Sequence, residues 1–128
     1  MKTRRILLAL ALFTSLFGCQ SKESRTVPSD LAGVWKTATP KYRDCYLELA
    51  EDSISFANEA LLEKSDNFIS KIEKIHKGKQ ILYTIHYEDR EGQEYKFSFF
   101  YDPSKGGAIR FKNQPQIKWR KVDMPLSE

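Results

Sequence analysis

Ile81, Tyr83, Ile85 and Tyr87 alternate with Leu82, Thr84, His86 and Glu88, and beyond the loop 88–93 Tyr95, Phe97, Phe99 and Tyr101 alternate in the same way. A period of two places each set on one face of an extended strand, so the two runs read as a β-hairpin with one continuous, largely aromatic face. Such a face is too large to leave in water. The chain has to cover it with further sheet, because no stretch of helical period long enough to do so occurs elsewhere.

The remaining runs supply that sheet. Cys45, Leu47 and Leu49 share one face, Glu51-Asp52 turns the chain, and Ile54 and Phe56 resume the apolar face. Residues 68–76 form an irregular strand in which Ile69 and Ile75 share parity with Lys71 and Glu73 whereas Phe68 and Ile72 have the other, and a β-bulge would reconcile them. Lys77-Gly78-Lys79, the stretch 102–107 and Asn113-Gln114-Pro115 carry turn chemistry, with short runs around Ile109 and Ile117 between and after them. Residues 59–64, capped from Asn58, break the alternation and read as one short helical turn. With a further run near Trp35 the count is about eight, enough for an all-β, small antiparallel up-and-down barrel without exposed edges.

The N-terminus has a different character. Lys2, Arg4 and Arg5 precede an apolar run over 6–18, which ends in Leu16-Phe17-Gly18-Cys19 and is followed by Gln20, Ser21, Lys22 and Glu23. A transmembrane helix needs about 20 apolar residues, more than this run holds. The arrangement resembles the type II signal peptide and lipobox of bacterial lipoproteins. That resemblance implies cleavage before Cys19 and acylation of its thiol and its freed amine with palmitate-like chains. It also implies a location in the cell envelope, with Gln20 after the cysteine indicating the outer membrane, facing the periplasm. The implied organisation is a signal peptide over 1–18, a lipidated tether over 19–30, a barrel domain over 31–123 and a tail over 124–128. Fully extended, the tether would reach about 35 Å.

The net charge of +4 falls to +1 once Lys2, Arg4 and Arg5 are set aside, and no dense basic face remains for nucleic acid. Lys71, Lys74, Lys77 and Lys79 come nearest to one, interrupted by Glu73, and read as a solvated strand and turn. With Cys19 acylated, Cys45 has no partner in the chain. It is then either a small buried side chain or the donor of an intermolecular disulfide.

Gly33-x-Trp35, at the head of the first strand, is similar to the G-x-W signature of lipocalins and of lipocalin-like (calycin-type) bacterial lipoproteins. The resemblance implies that Gly33 turns the chain into the strand and that Trp35 plugs the closed end. It also implies a basic residue from the last strand over the Trp35 ring. Lys118, Arg120 and Lys121 flank Trp119 there, and Arg120 is the expected cation.

No catalytic constellation, phosphate loop or metal-ligand spacing is present, and His76, His86 and Cys45 are the only His and Cys side chains beyond the anchor. The expectation is a non-enzyme without metal or cofactor. The candidate ligand-binding set is Tyr83, Tyr87, Tyr95, Phe97, Phe99 and Tyr101, whose inward hydroxyls need partners. A barrel that binds a small apolar or aromatic ligand there requires a cavity of roughly 300 Å³ or more between Tyr83, Tyr95 and Phe99. The alternative is a filled barrel that docks an envelope protein, as inhibitor or assembly factor, through an outer patch of Tyr42, Tyr46 and Phe100.

Overall fold

The computed structural model describes residues 22–122. The expected signal peptide 1–18, the expected lipidation site Cys19 and the expected tail 124–128 lie outside the described residues. The strands are β1 (Lys22–Ser24), β2 (Gly33–Lys36), β3 (Cys45–Leu49), β4 (Ser53–Asn58), β5 (Glu63–Lys77), β6 (Gln80–Glu88), β7 (Glu94–Asp102), β8 (Ala108–Phe111) and β9 (Gln114–Val122). From β2 to β9 each strand is antiparallel to the next, and β9 pairs back onto β2, which closes an eight-strand up-and-down barrel. The all-β expectation holds. Closure satisfies the backbone groups an open sheet would leave at its edges.

β5 makes the closure possible. Its first half pairs with β4 from Glu63 to Phe68, and its second half pairs with β6 from Phe68 to Lys77. A register shift between Ile69 and Lys71 marks the expected bulge, and across it Ile69 and Ile72 both point inward and are buried. Phe68, out of phase with Ile69 before the bulge, and Ile75, out of phase with Ile72 after it, face outward. The free edge of the second half is taken by β1, with Lys22 opposite Lys74 and Ser24 opposite Ile72.

That pairing corrects the expected tether. Residues 22–30 belong to the folded unit: after β1, the Val27 N–H donates to the Glu51 carbonyl at 2.9 Å, and Val27 and Leu31 are buried in the core. The polar composition of this segment concealed it, because β1 is held by backbone pairing to β5 and the buried apolar side chains, Val27 and Leu31, come only after it.

The end of the barrel beneath Leu31 is sealed by Trp35, which is fully buried. The Trp35 indole N–H donates to the Leu31 carbonyl at 2.9 Å, and the ring meets the Tyr101 ring edge-on at 6.2 Å. The cation over the ring is Lys121, not Arg120: Lys121 Nζ lies 5.5 Å from the ring centroid, and Lys121 is the cross-strand partner of Trp35. Strand parity explains the correction. Ile117, Trp119 and Lys121 share the inward face of β9, whereas Lys118 and Arg120 point outward and are exposed. Arg120 instead donates to the Lys105 and Gly107 carbonyls at 3.1 and 3.3 Å and ties down the β7–β8 turn. Gly33, at φ +139°, leaves room for the Lys121 stem, since a Cβ there would sit 3.2 Å from it.

The helical turn expected over 59–64 is a hairpin turn between β4 and β5. Asn58 does cap it, accepting the Leu61 N–H at 3.2 Å, but Leu62 takes φ +55° and the strand resumes at Glu63. Two short 3-10 turns occur elsewhere, at Pro40–Tyr42 and Ser104–Gly106. The first carries Tyr42 to the open end of the barrel, opposite Trp35.

Candidate functional site

The aromatic stripe fills the barrel. Tyr83 stacks on Phe99 with centroids 5.5 Å apart, and Phe99 touches Phe97 at 5.7 Å. Phe97 meets Phe111 edge-on at 4.8 Å and Phe56 at 5.4 Å. Phe111 in turn stacks on Trp119 at 4.8 Å, so rings run in contact along the axis from Tyr101, beside Trp35, to Tyr42, beside Trp119. Tyr83 and Phe99 are 2% and 0% exposed, which leaves no opening between them. The cavity expected between Tyr83, Tyr95 and Phe99 is occupied by the rings meant to line it.

The hydroxyls are placed accordingly. Tyr95 is 45% exposed and stacks on Tyr87 at the rim, and its hydroxyl donates to Asp89 Oδ2 at 3.3 Å. Tyr83 is deeper, and burial, with a smaller contribution from the Asp30 carboxylate, pushes its pKa up to about 12. Tyr101 is raised by the same two causes. The folded chain thus holds the Tyr83 proton more tightly than the unfolded chain, where tyrosine titrates near pH 10. Stability contributed in this way is full below pH 10 and is lost as the pH climbs toward 12. Denaturant unfolding across that window is expected to show a loss of roughly 1–2 kcal/mol in the wild type that Tyr83→Phe makes shallower. An identical fall in both proteins would contradict the placement of this hydroxyl.

A smaller cavity, of about 200 Å³, lies at the open end. Its wall is formed by Tyr42, Cys45, Leu47, Phe56, Phe111 and Trp119, with Tyr46, Ala57 and Gln114 completing the lining. The Pro40–Tyr42 turn sets the Tyr42 ring 6.3 Å from Trp119, and Gln114 Nε2 donates to the Tyr42 hydroxyl at 2.9 Å, fixing the rim. Trp119 is 4% exposed, and its indole N–H is buried without a partner among the described residues. A buried donor left unbonded costs about 1–3 kcal/mol, which a ligand acceptor would recover. The sequence carried one signal for this: among the residues of β9 that share the parity of Trp119, Pro115 and Ile117 are apolar and Lys121 carries only donors, so none can accept from the indole.

The three residues expected to form an outer patch do not come together. Tyr42 and Tyr46 converge on the open-end cavity, whereas Phe100 lies on β7. The ring order β3-β2-β9-β8-β7 puts β7 on the opposite side of the barrel from β3. Phe100 is half-buried on the outer wall between Leu82 and Arg110, its cross-strand neighbours. His86 pairs with Glu73 at 2.8 Å on that wall, and the pairing draws the Glu73 pKa below the usual carboxylate range. His76 is exposed and Cys45 lies at the cavity, and among the described residues no three His, Cys, Asp or Glu side chains converge as metal ligands.

Larger hollows of about 590 and 620 Å³ lie open to solvent. One is lined by Lys71, His86, Glu94, Tyr95 and Lys96, and the other follows the β4–β5 turn past Leu62 and shares Phe56 and Ala57 with the open-end cavity. Their walls are charged and polar, whereas that of the smaller cavity is almost wholly apolar, which makes it the stronger candidate. No protein-family model matches the chain, and no curated protein or solved structure matches it.

Proposed function

We propose that the protein is a lipid-anchored lipoprotein of the cell envelope whose lipocalin-like barrel binds a small aromatic or apolar ligand at its open end. The anchor reading is supported by the basic residues Lys2, Arg4 and Arg5, the apolar run over 6–18 and the lipobox Leu16-Phe17-Gly18-Cys19. The binding reading is carried by one observation: a buried, unpartnered Trp119 N–H in the wall of an apolar cavity of about 200 Å³. A cavity of about 150 Å³ is known to hold one benzene ring, so this one suits a single ring or short apolar group bearing one acceptor such as a carbonyl. The reading is one of binding and not of catalysis, because neither histidine lies in the cavity wall.

Acetophenone, one ring with a carbonyl, is a direct probe. Calorimetry on the full chain is expected to give a Kd of about 10 μM to 1 mM, the range accessible to a ligand of this size. Cys45→Phe, which fills the cavity from its wall, is expected to weaken binding by at least about tenfold, or 1.4 kcal/mol. Unchanged affinity in a folded Cys45→Phe protein would rule out this site.

A second reading is favoured by the exposure of Leu61 (63%) and Leu62 (93%) on the β4–β5 turn, at the same end. The cavity would then receive one aromatic side chain of an envelope protein, with the two leucines packing around it. Leu61→Ser/Leu62→Ser would abolish capture of such a partner while leaving acetophenone binding intact.

A further inference from the structure

The corner of the barrel formed by the end of β5 and the start of β6 is where the chain from Cys19 arrives. β1 runs antiparallel to β5, with Lys22 opposite Lys74 and Ser24 opposite Ile72, so β1 enters from the side of the Lys77–Gln80 turn. Cys19 precedes Lys22 by three residues, a reach of at most about 11 Å. Acyl chains on Cys19 would therefore hold this corner at headgroup level, and not at the end of a long tether.

The residues gathered there suit that position. Lys74, Lys77 and Lys79 form no ion pair among the described residues, and Lys77, Lys79 and His76 are exposed. Ile75 stands 37% exposed among them. Lys71, further along β5, is by contrast engaged by Glu73 at 4.0 Å. Gly78, at φ +64°, forms the tight two-residue turn that projects Lys77 and Lys79. Glu51 and Asp52 occupy the β3–β4 turn at the same end, whereas the β5–β6 turn itself carries no carboxylate. At the open end, the β6–β7 loop carries Glu88, Asp89, Glu91 and Glu94 against the single cation Arg90.

We propose that Lys74, Lys77 and Lys79 seat this corner on the anionic phospholipid headgroups of the bilayer, orienting the barrel with its open-end cavity away from the membrane. This rests on the reading of Cys19 as the lipid anchor. Each lysine near an anionic surface favours the seated state by about fivefold, and the reach of the anchor is comparable to the Debye length of about 8 Å, so the attraction operates within the anchored geometry. The acidic loop at the other end disfavours the inverted orientation.

The test uses the full chain purified from membranes and placed on vesicles of phosphatidylglycerol or of phosphatidylcholine, with lysines modified by a water-soluble acylating reagent and read by mass spectrometry. On phosphatidylglycerol, modification of Lys74, Lys77 and Lys79 is expected to slow about fivefold or more relative to Lys41 and Lys112 at the open end, and high salt is expected to remove the difference. In the triple variant K74Q/K77Q/K79Q, with wild-type urea unfolding as the check that the half-buried position 74 tolerates the change, slowed modification of the remaining closed-end lysines Lys105 and Lys121 should disappear. Equal slowing at both ends, or greater slowing at Lys41 and Lys112, would overturn the proposal. The intact mass reports separately whether Cys19 is acylated. A lipidated chain without the pattern defeats the seating alone, an unlipidated chain with the pattern defeats the anchor alone, and an unlipidated chain without it defeats both.

Discussion

Trp35→Ala is expected to lower the unfolding free energy by about 3–5 kcal/mol, the range for deleting a large aromatic from a core that cannot collapse around the gap. Trp35 is fully buried at the junction of Leu31, Tyr101 and Lys121, so its removal also leaves the Leu31 carbonyl without its donor. For a domain of this size, whose total stability falls within about 5–15 kcal/mol, the variant approaches the threshold of folding. Urea unfolding is the measurement, with two comparators. Lys121→Ala, which removes the cation over the ring, is expected to cost about 0.5–2 kcal/mol. Arg120→Ala acts elsewhere, on the bonds to the Lys105 and Gly107 carbonyls, so its effect should add to that of Trp35→Phe, whereas that of Lys121→Ala should not. A loss below about 1 kcal/mol in Trp35→Ala would contradict its role as the seal of this end.

Cys19→Ser is expected to have the largest effect on location. On the lipoprotein reading, the variant keeps residues 1–18, acquires no lipid and loses stable membrane retention. One acyl chain binds a bilayer only marginally, whereas two or more hold firmly, so removing the attachment point removes nearly all retention. Intact mass and membrane fractionation check this together. Normal processing and wild-type retention of Cys19→Ser would remove the anchor from the account.

How much of this was legible in the chain follows from what a period of two encodes. It gives the face of each residue, so β6 and β7 could be read directly and a bulge within 68–76 inferred, while its place between Ile69 and Lys71 came from the pairing. It does not give the angle around the barrel axis, which is why Tyr46 and Phe100, both outward by parity, end on opposite sides. Parity applied to β9 would have selected Lys121 over Arg120, since Ile117 and Trp119 already fix the inward face. β1 had no apolar pattern to read, because its contribution is backbone pairing to an edge that exists only after β5 has left β4. The filling of the barrel depends on ring volumes and contact angles, such as the 16° stack of Phe111 on Trp119, and no spacing rule encodes those. The open-end cavity is bounded by Phe111, Trp119 and Tyr42, and the Pro40–Tyr42 turn that brings Tyr42 to its rim carries no periodic signal.

The central claim is that the protein acts through the Trp119 cavity at the open end of a barrel that is otherwise full. Two-dimensional NMR of the ¹⁵N-labelled chain resolves the two indole N–H groups, one bonded to the Leu31 carbonyl and one without a partner. On titration with acetophenone the account predicts a saturable shift of the Trp119 indole resonance while that of Trp35 stays in place. A Trp119 resonance that does not move at saturating ligand, or a Trp35 resonance that moves with it, would contradict the account.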